Sequence, residues 1–512
     1  MSEAAKRRET QRKALSQADQ LRRAQDEILK HAHDYGLQPF RTVFELVSHD
    51  EMNEIASYGG FPTRYPHWRF GMEYEELQKG YSWGLQKIYE LVINNDPCYA
   101  YLMKSNMMVD QKMVIAHVYG HSDFFRNNMW FSQTNRRMID EIANHGTRLR
   151  RYVERYGQEP VEAFLDAALS LESLIDYHSV YSPHRRRARY EFVEEPEASE
   201  IRKLKAAKGY MDRFINPPAF MDAQRKKIED QLQKKKRFPE EATKDILEFL
   251  IEYAPLDTWQ RDVLSIVREE AYYFAPQALT KIMNEGWATY WHAKIMTEKA
   301  LKEGEVIDFA DHHSATLGMR PGTINPYKLG VELWRSIEER WNKGQFGREY
   351  DECDDLATRR NWDKQLGLGR EKIFEVRRIY NDITFIDDFL TKEFCIQHKL
   401  FVYKYNGQTN RYEIADRDFE AIKRSLLFRL TNMGHPVIVI QDGNFRNRAE
   451  LLLRHRHEGV DLEVSEARDT LQNMYRVWRR PVSLETSVED QPRLLSFDGD
   501  KFKEEDLSST GA

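Results

Sequence analysis

The spacing of apolar residues changes once along this chain of 512 residues, and that change constrains its fold class most. Up to about residue 394 they recur every three or four positions, as in "EYEELQKGYSWGLQKIYELVINN" and "EPVEAFLDAALSLESLIDYHS", which is typical of amphipathic helices. From about residue 395, short runs rich in β-branched residues, such as "KLFVYKY" and "PVIVIQDG", alternate with helical segments. The sequence therefore predicts a mainly α protein with a large helical N-terminal domain and a small C-terminal α+β domain.

The predicted domain boundaries follow changes in composition. Residues 1–33 predict a charged N-terminal helix, and residues 34–394 predict the helical domain. Within that domain, residues 182–241 mix basic and acidic residues, which indicates a charged insertion or linker. Residues 395–487 have the order β-α-β-β-α-β of a ferredoxin-like sandwich, and residues 488–512 predict a polar tail.

Composition excludes several classes of protein. The net charge of −6 gives no field that would recruit nucleic acid or an anionic membrane. The sequence contains no run of 18 apolar residues, so it predicts no transmembrane helix. Its charged N-terminus does not resemble a signal peptide. The cysteines are odd in number and far apart, at Cys98, Cys353 and Cys395, which favours a reducing compartment. We therefore expect a soluble, cytoplasmic protein.

Two histidines in the apolar segment "DQKMVIAHVYGHSDFFRNN" have the spacing of a metal site. On a helix, His117 and His121 would lie about 40° apart around the axis and about 6 Å along it, so both imidazoles can bind one ion. The metalloprotease motif H-E-x-x-H has the same spacing, but Val118 replaces its glutamate base. Gly120 predicts close approach of another backbone or a ligand. The alternative is a buried helix with two hydrogen-bonded core histidines.

A second segment, "KIMNEGWATYWH", supplies a third ligand. Gluzincin-type zinc sites take a glutamate from a second helix in a similar Asn-Glu-Gly-aromatic-Ala context, and Glu285 stands at that position. A carboxylate buried among apolar residues is costly unless it is paired or binds a cation. Two histidines and one carboxylate form a common catalytic zinc set, although iron and manganese also use such ligands. Asn284 is expected around the ligands, and His292, about 10 Å along the helix axis from Glu285, suits a position around them or a second metal.

Because Val118 cannot act as a base, we expect the base to come from another segment, "VLSIVREEAYYF". Glu270 shares a helix face with apolar residues, and Glu269 precedes it, so either is a candidate base. Pro276 predicts a helix break that would let the chain bring Glu270 towards Glu285. The alternative for Glu270 is a structural ion pair with an arginine such as Arg268.

The segment "DFADHHSATLGMRPGTINPYKLG" adds further polar candidates. Adjacent histidines point to different faces, so we expect only His313 to face the site, as a fourth ligand or an acid. A solvated loop histidine is the alternative. Arg320 and Tyr327 in this segment, and Asp110 upstream of the histidine pair, are expected to surround the ligands.

Four stretches together resemble the stage V sporulation protein R (SpoVR) family, over about residues 30–485: "HVYGHSDFF", "REEAYYFAPQALTKIMNEGWATYWH", "TINPYKLG" and "IYNDITFIDDFLT". The resemblance implies a bacterial protein with a large helical region and a small C-terminal domain. It also implies a role in spore cortex formation or stress response. The expected partners are a PrkA-type serine protein kinase and a von Willebrand-like protein, whose genes typically neighbour those of the family.

Two functions remain compatible with these residues. In the first, the protein is a metal-dependent hydrolase, similar to an amidase or peptidase, with zinc as the expected ion and Glu270 or Glu269 as base. In the second, it is a non-enzymatic regulator or scaffold that acts with the kinase and the von Willebrand-like protein. The two differ in the metal site, because a catalytic zinc keeps an open position and a structural zinc does not.

Overall fold

The computed structural model describes residues 3–82, 90–181, 217, 221–222, 238–319 and 322–507. These residues contain eighteen α-helices and ten β-strands, so the prediction of a mainly α protein with a C-terminal sheet domain is confirmed. Most of the predicted insertion at 182–241, and Arg320, lie outside the described residues. None of the described helices is both long and apolar enough to cross a lipid bilayer.

The secondary-structure elements are numbered in chain order. The helices are α1 Glu3–Asp34, α2 His49–Ser57, α3 Trp68–Ser82, α4 Met108–Asn127, α5 Met138–Tyr156, α6 Gln158–Leu169, α7 Ile246–Tyr253, α8 Thr258–Leu279, α9 Lys281–Ile295, α10 Val306–Thr316, α11 Pro326–Lys343, α12 Arg348–Asp351, α13 Leu356–Arg360, α14 Gly369–Ile379, α15 Asp382–Phe389, α16 Lys392–Gln397, α17 Phe419–Leu430 and α18 Val464–Trp478. The strands are β1 Thr42–Val47, β2 Leu91–Ile93, β3 Cys98–Met103, β4 Val402–Asn406, β5 Arg411–Asp416, β6 Ile438–Phe445, β7 Glu450–His455, β8 Val482–Val488, β9 Gln491–Phe497 and β10 Phe502–Asp506.

The chain forms two compact units. Unit 1 contains residues 1–151 and 273–434, and unit 2 contains residues 152–272 and 435–512. In unit 1, helices surround a three-stranded sheet of order β1-β3-β2, in which β1 and β3 are parallel. Its largest buried cluster is made mainly by apolar side chains of α4, α9, α11 and α14.

Glycines let three helices of unit 1 pack backbone to backbone. A Cβ added at Gly120 of α4 would lie 2.6 Å from the Cα of Ala288 on α9. A Cβ at Gly286 of α9 would lie 2.4 Å from the backbone of Gly330 on α11. Real Cβ atoms do not approach backbone this closely, so only glycine fits at these crossings. The close approach of another backbone predicted at Gly120 is thus found, and α9 packs closely against both α4 and α11.

The start of α9 is fixed by a carboxylate from α15. Asp382 is buried and accepts hydrogen bonds from the backbone N–H groups of Ile282 at 2.8 Å and Met283 at 2.9 Å. These groups have no partner within their own helix, so the carboxylate satisfies them. Burial raises the pKa of Asp382 to about 7, although these backbone donors act in the opposite direction.

The expected helix break at Pro276 is wrong. Helix α8 continues through Pro276 to Leu279. The break falls at Thr280, whose hydroxyl donates to the Pro276 carbonyl oxygen at 2.7 Å. A proline removes one backbone donor, and the helix tolerates this loss when the neighbouring groups find other partners.

Unit 2 contains a five-stranded sheet of order β10-β9-β8-β7-β6. Only β7 and β8 are parallel within it, and α18 connects them and packs on β8 and β9. The predicted ferredoxin-like strand order is not found, because the first predicted strand becomes β4 and pairs with β5 in a separate sheet of unit 1.

The chain after residue 487, predicted as a polar tail, contributes β9 and β10. Strand β9 buries Leu494 and Leu495. Strand β10 lies at the edge of the sheet; its last four residues are charged and exposed, and Phe502 is partly buried. An exposed edge strand pairs through its backbone and does not require the apolar alternation by which strands are predicted.

Candidate metal centre

Four side chains of unit 1 converge at one point. His117 and His121 lie on α4, Glu285 lies on α9, and Glu90 directly precedes β2. One ligand atom from each lies within 4.8 Å of the others. The Oε2 atom of Glu285 is 3.6 Å from His117 Nε2 and 3.4 Å from His121 Nε2. The structure thus brings together the three predicted ligands and adds Glu90.

These distances fit a metal ion. Ligands that bind zinc tetrahedrally at about 2.0–2.1 Å are separated from one another by about 3.3 Å. His117 Nε2 also lies 3.0 Å from Glu90 Oε1. His117 Nε2 and Glu285 Oε2 are buried, and their polar neighbours are other members of this group: Glu90 for His117, and both histidines of α4 for Glu285. Buried charged groups are costly unless they are paired or bind a metal, and a cation shared by these ligand atoms would stabilise them.

The other nitrogen of each imidazole is anchored. His121 Nδ1 lies 2.9 Å from the side-chain oxygen of Asn284, which only accepts hydrogen bonds, so Nδ1 carries the proton. His117 Nδ1 lies 2.8 Å from His292 Nδ1, and His292 Nε2 lies 2.9 Å from His313 Nδ1. If His117 donates to His292 and His292 donates to His313, the Nε2 atom of His117 keeps a lone pair for a metal. The Nε2 atom of His121 does so as well, because its Nδ1 carries the proton. Metal-binding histidines are usually oriented by such partners.

The charges around the ligands also favour a cation. Burial opposes the protonated form of His117, but the carboxylates of Glu90 and Glu285 outweigh it and raise the pKa of His117 to about 9. Burial acts to raise the pKa of Glu285, but His121 and His117 hold it well below its usual range. Burial, together with the neighbouring His117 and His313, lowers the pKa of His292. A metal ion can replace the proton that the two carboxylates attract to His117.

The two carboxylates lie on the more open side of the site. About 20% of the Glu90 side chain and 18% of the Glu285 side chain are exposed, against 4% for His117. Tyr327, in the first turn of α11, has its ring centroid 6.1 Å from that of His117. Burial, and then the charges of Glu285 and Glu90, raise the pKa of Tyr327 well above its usual range. Its hydroxyl therefore stays protonated and can donate a hydrogen bond.

The adjacent histidines of α10 face different partners. His313 meets His292, whereas His312 Nδ1 forms a short contact with the carboxylate of Asp110. Asp110 was expected near the ligands, and in the structure its carboxylate contacts His312. Asn325 caps α11 by accepting the N–H of Lys328, which helps to fix the position of Tyr327.

The predicted bases Glu269 and Glu270 lie on α8 in unit 2, whereas the four converging groups belong to unit 1. Glu270 is buried. Arg268, named above as an alternative partner for Glu270, instead binds the carboxylate of Asp245 at 2.7 Å. The catalytic roles of Glu269 and Glu270 stay predictions, and the additional carboxylate beside the ligands is Glu90.

Sequence reasoning missed Glu90 because "QKIYELVINN" was assigned to a helix by its periodicity. In the structure, Glu90 directly precedes β2 and is not helical. A signal was present, since Glu90 is a carboxylate flanked by apolar residues, Tyr89 and Leu91. The same criterion pointed to Glu285.

Comparison with known proteins assigns the chain to a family. Residues 16–435 match the family model described as SpoVR like protein, and residues 436–489 match the SpoVR-like C-terminal domain. The chain belongs to the SpoVR family. One relative, named "Uncharacterized protein YcgB", is from Escherichia coli strain K12. It is 29% identical over 489 residues, which cover 91% of each chain. No solved structure matches the chain.

The two SpoVR models meet at residues 435 and 436, close to the division between the compact units at residues 434 and 435. Sequence analysis placed the domain boundary earlier, at residue 395. The intervening residues include α17, whose Ile422 and Leu426 are buried in the main core cluster of unit 1. Their strand-like composition reflects the short β4–β5 hairpin.

Proposed function

We propose that this SpoVR family protein is a metal-dependent hydrolase in which His117, His121 and Glu285 hold a zinc ion. The observation that supports this most is that ligand atoms of His117, His121, Glu285 and Glu90 converge within 4.8 Å of one another, with Glu285 Oε2 3.6 Å from His117 Nε2. Two histidines and one glutamate are a common catalytic zinc set. A bound zinc ion would polarise a substrate carbonyl and lower the pKa of water.

Glu90 is the candidate general base. In the H-E-x-x-H motif the base lies on the same helix as the histidines, but Val118 occupies that position here. Glu90 comes from the segment before β2, and its carboxylate lies beside His117 Nε2 on the more open side of the site. There it can accept a proton from the attacking water and return it to the leaving amine.

Tyr327 is the candidate donor to the oxyanion. Burial and two nearby carboxylates keep its hydroxyl protonated, so the hydroxyl can donate to the negative oxygen that develops on an amide carbonyl. Asn284 and His292 orient the ligand imidazoles. We propose peptide or cell-wall amide bonds as the substrate class, consistent with a role in spore cortex formation or stress response.

The test compares three carboxylate variants of the full chain. Glu285→Gln should lose the metal, whereas Glu90→Gln should keep both metal and fold and lose hydrolysis of a panel of peptide and muropeptide amides. Glu76→Gln, which changes an exposed carboxylate of α3, should retain metal and activity. Elemental analysis and product chromatography measure the two properties. Negligible metal in the wild type and in His121→Ala alike would refute the metal site.

A non-enzymatic function is the second candidate, and the proximity of Glu90 favours it. If Glu90 also binds, four protein ligands complete a tetrahedral zinc site and leave no open position. Iron or manganese would also suit such a carboxylate-rich site. The protein would then act as a regulator or scaffold, with the PrkA-type serine kinase and the von Willebrand-like protein as proposed partners.

Metal affinity separates these two functions. In the regulator, Glu90→Gln removes a ligand and should weaken cobalt(II) binding and change the visible spectrum of the cobalt-substituted protein. In the hydrolase, the same substitution should leave the cobalt affinity close to that of the wild type. Co-elution of the kinase with the wild type, and its persistence in Glu90→Gln, would support a scaffold role that does not depend on catalysis.

A further inference from the structure

Unit 1 contains a cavity of about 260 Å³ that the metal centre does not use. It is bounded by residues before and within the first turn of α11, by the segment from His398 to Tyr403, and by α17. Small-molecule sites are typically about 300–1,000 Å³, so this cavity suits a molecule about the size of one substituted ring. None of the four converging metal-site residues lines it.

Three cationic side chains line this cavity: Lys328, Lys399 and Arg429. In the described part of the chain, none of them has a carboxylate within ion-pair distance. Some cations elsewhere on these helices are paired, as with Arg335 and Glu332 of α11 at 3.0 Å. Lys423 on α17 is likewise 2.7 Å from Asp387. The cavity therefore collects positive charge that the neighbouring carboxylates do not neutralise.

The floor of the cavity is apolar. Ile422 and Leu426 of α17 are buried in the main core cluster, and Leu400 and Phe401 pack against that cluster while lining the cavity. A ligand that fits both parts carries a negative group at the rim and an apolar group on the floor. Phe401 and Tyr403 also line the cavity, so an aromatic group of the ligand could contact their rings.

We propose that this cavity binds a small organic anion with an aromatic or apolar body. Lys328, Lys399 and Arg429 would hold its carboxylate or phosphate, and Phe401 and Leu426 would contact its body. Arginine and lysine on separate elements suit an anion with several acceptor oxygens. This binding activity goes beyond the proposed hydrolase and does not depend on it.

Calorimetric titration of the full chain tests the proposal with three probes of similar body. Phenyl phosphate and benzoate should bind, and the stronger of the two identifies the anionic group. Benzyl alcohol, which carries no charge, should not bind. Arg429→Gln should weaken the binding of the stronger anion by roughly fivefold or more, because a charge-assisted hydrogen bond is lost.

Arg424→Gln is the matched control, since Arg424 is exposed on the same helix but does not line the cavity. It should leave the affinity unchanged, as should His121→Ala in the metal centre. Ser425→Trp should fill the cavity and abolish binding. If Arg429→Gln fails to fold, Lys399→Gln at an exposed position replaces it.

Three results would overturn the proposal. They are equal binding of benzyl alcohol and the anions, equal weakening by Arg424→Gln and Arg429→Gln, and no anion binding at millimolar concentration. If a variant loses anion binding but keeps its metal, the hydrolase proposal still stands, because none of the four metal-site residues lines the cavity.

Discussion

Substitution of Gly286 by alanine tests whether the contact between α9 and α11 holds Glu285 in place. An ideal Cβ at position 286 would lie 2.4 Å from the carbonyl carbon and Cα of Gly330 and 2.8 Å from the backbone nitrogen of Val331. These are backbone atoms, which cannot move aside by a side-chain rotation. Ordinary contact begins at 3.4 Å, so the helices must separate locally by about 1 Å (3.4 − 2.4).

This separation sets the expected magnitude. Overpacking of a close contact typically costs about 1–3 kcal/mol, and the clash with rigid backbone places Gly286→Ala at the upper end. Alanine in a helix interior gains about 1 kcal/mol over glycine, so we expect a net loss of about 2 kcal/mol. Glu285 is the preceding residue, and metal–ligand distances tolerate only about 0.2 Å. Metal affinity should therefore fall about tenfold or more.

Gly71→Ala is the matched control. Gly71 lies in α3, and nothing lies within 4 Å of an added Cβ, so this substitution should stabilise the protein by up to about 1 kcal/mol. Urea unfolding followed by circular dichroism measures stability, and competition with a chelator measures metal affinity. If Gly286→Ala stabilises the protein as Gly71→Ala does and keeps wild-type metal affinity, the reasoning is wrong.

Three further changes probe the surroundings of the ligands. Asn284→Ala removes the acceptor for His121 Nδ1 and should weaken metal binding by roughly 10–100-fold, whereas Asn284→Asp keeps an oxygen acceptor. Equal metal affinities of these two variants in the chelator assay would contradict this. Arg377→Met leaves the fully buried Asp123 without its partner at 2.6 Å and should lower the free energy of unfolding by about 3–5 kcal/mol; a urea midpoint equal to that of the wild type would refute it. The pKa of Asp382 is raised from 3.8 to about 7, so its contribution to stability is fully present below pH 3.8 and is lost as the pH rises through about 7. Asp382→Asn should remove that decline in unfolding experiments across this range, and an unchanged pH dependence would exclude Asp382 as its source.

The helical nature of unit 1 and the three predicted ligands could be inferred from sequence because their signals are local. His117 and His121 are one helical turn apart, so their convergence follows from helix geometry alone. Glu285 stood out because a carboxylate surrounded by apolar residues needs a reason to be buried. Gly120 and Gly286 are also local signals, since a glycine within a helix often marks a close contact with a neighbouring helix.

Tertiary structure alone decided the rest of the centre. Glu90, which directly precedes β2, lies beside His117 of α4, and His292 and His313 reach the site from two other helices. No residue spacing in the sequence specifies these contacts. The sheet of unit 2 likewise includes β10, an exposed edge strand whose backbone pairs with β9 whatever its side chains are. Local patterns determine which segments form helices and which faces are buried, whereas contacts between distant segments depend on how all those faces pack together.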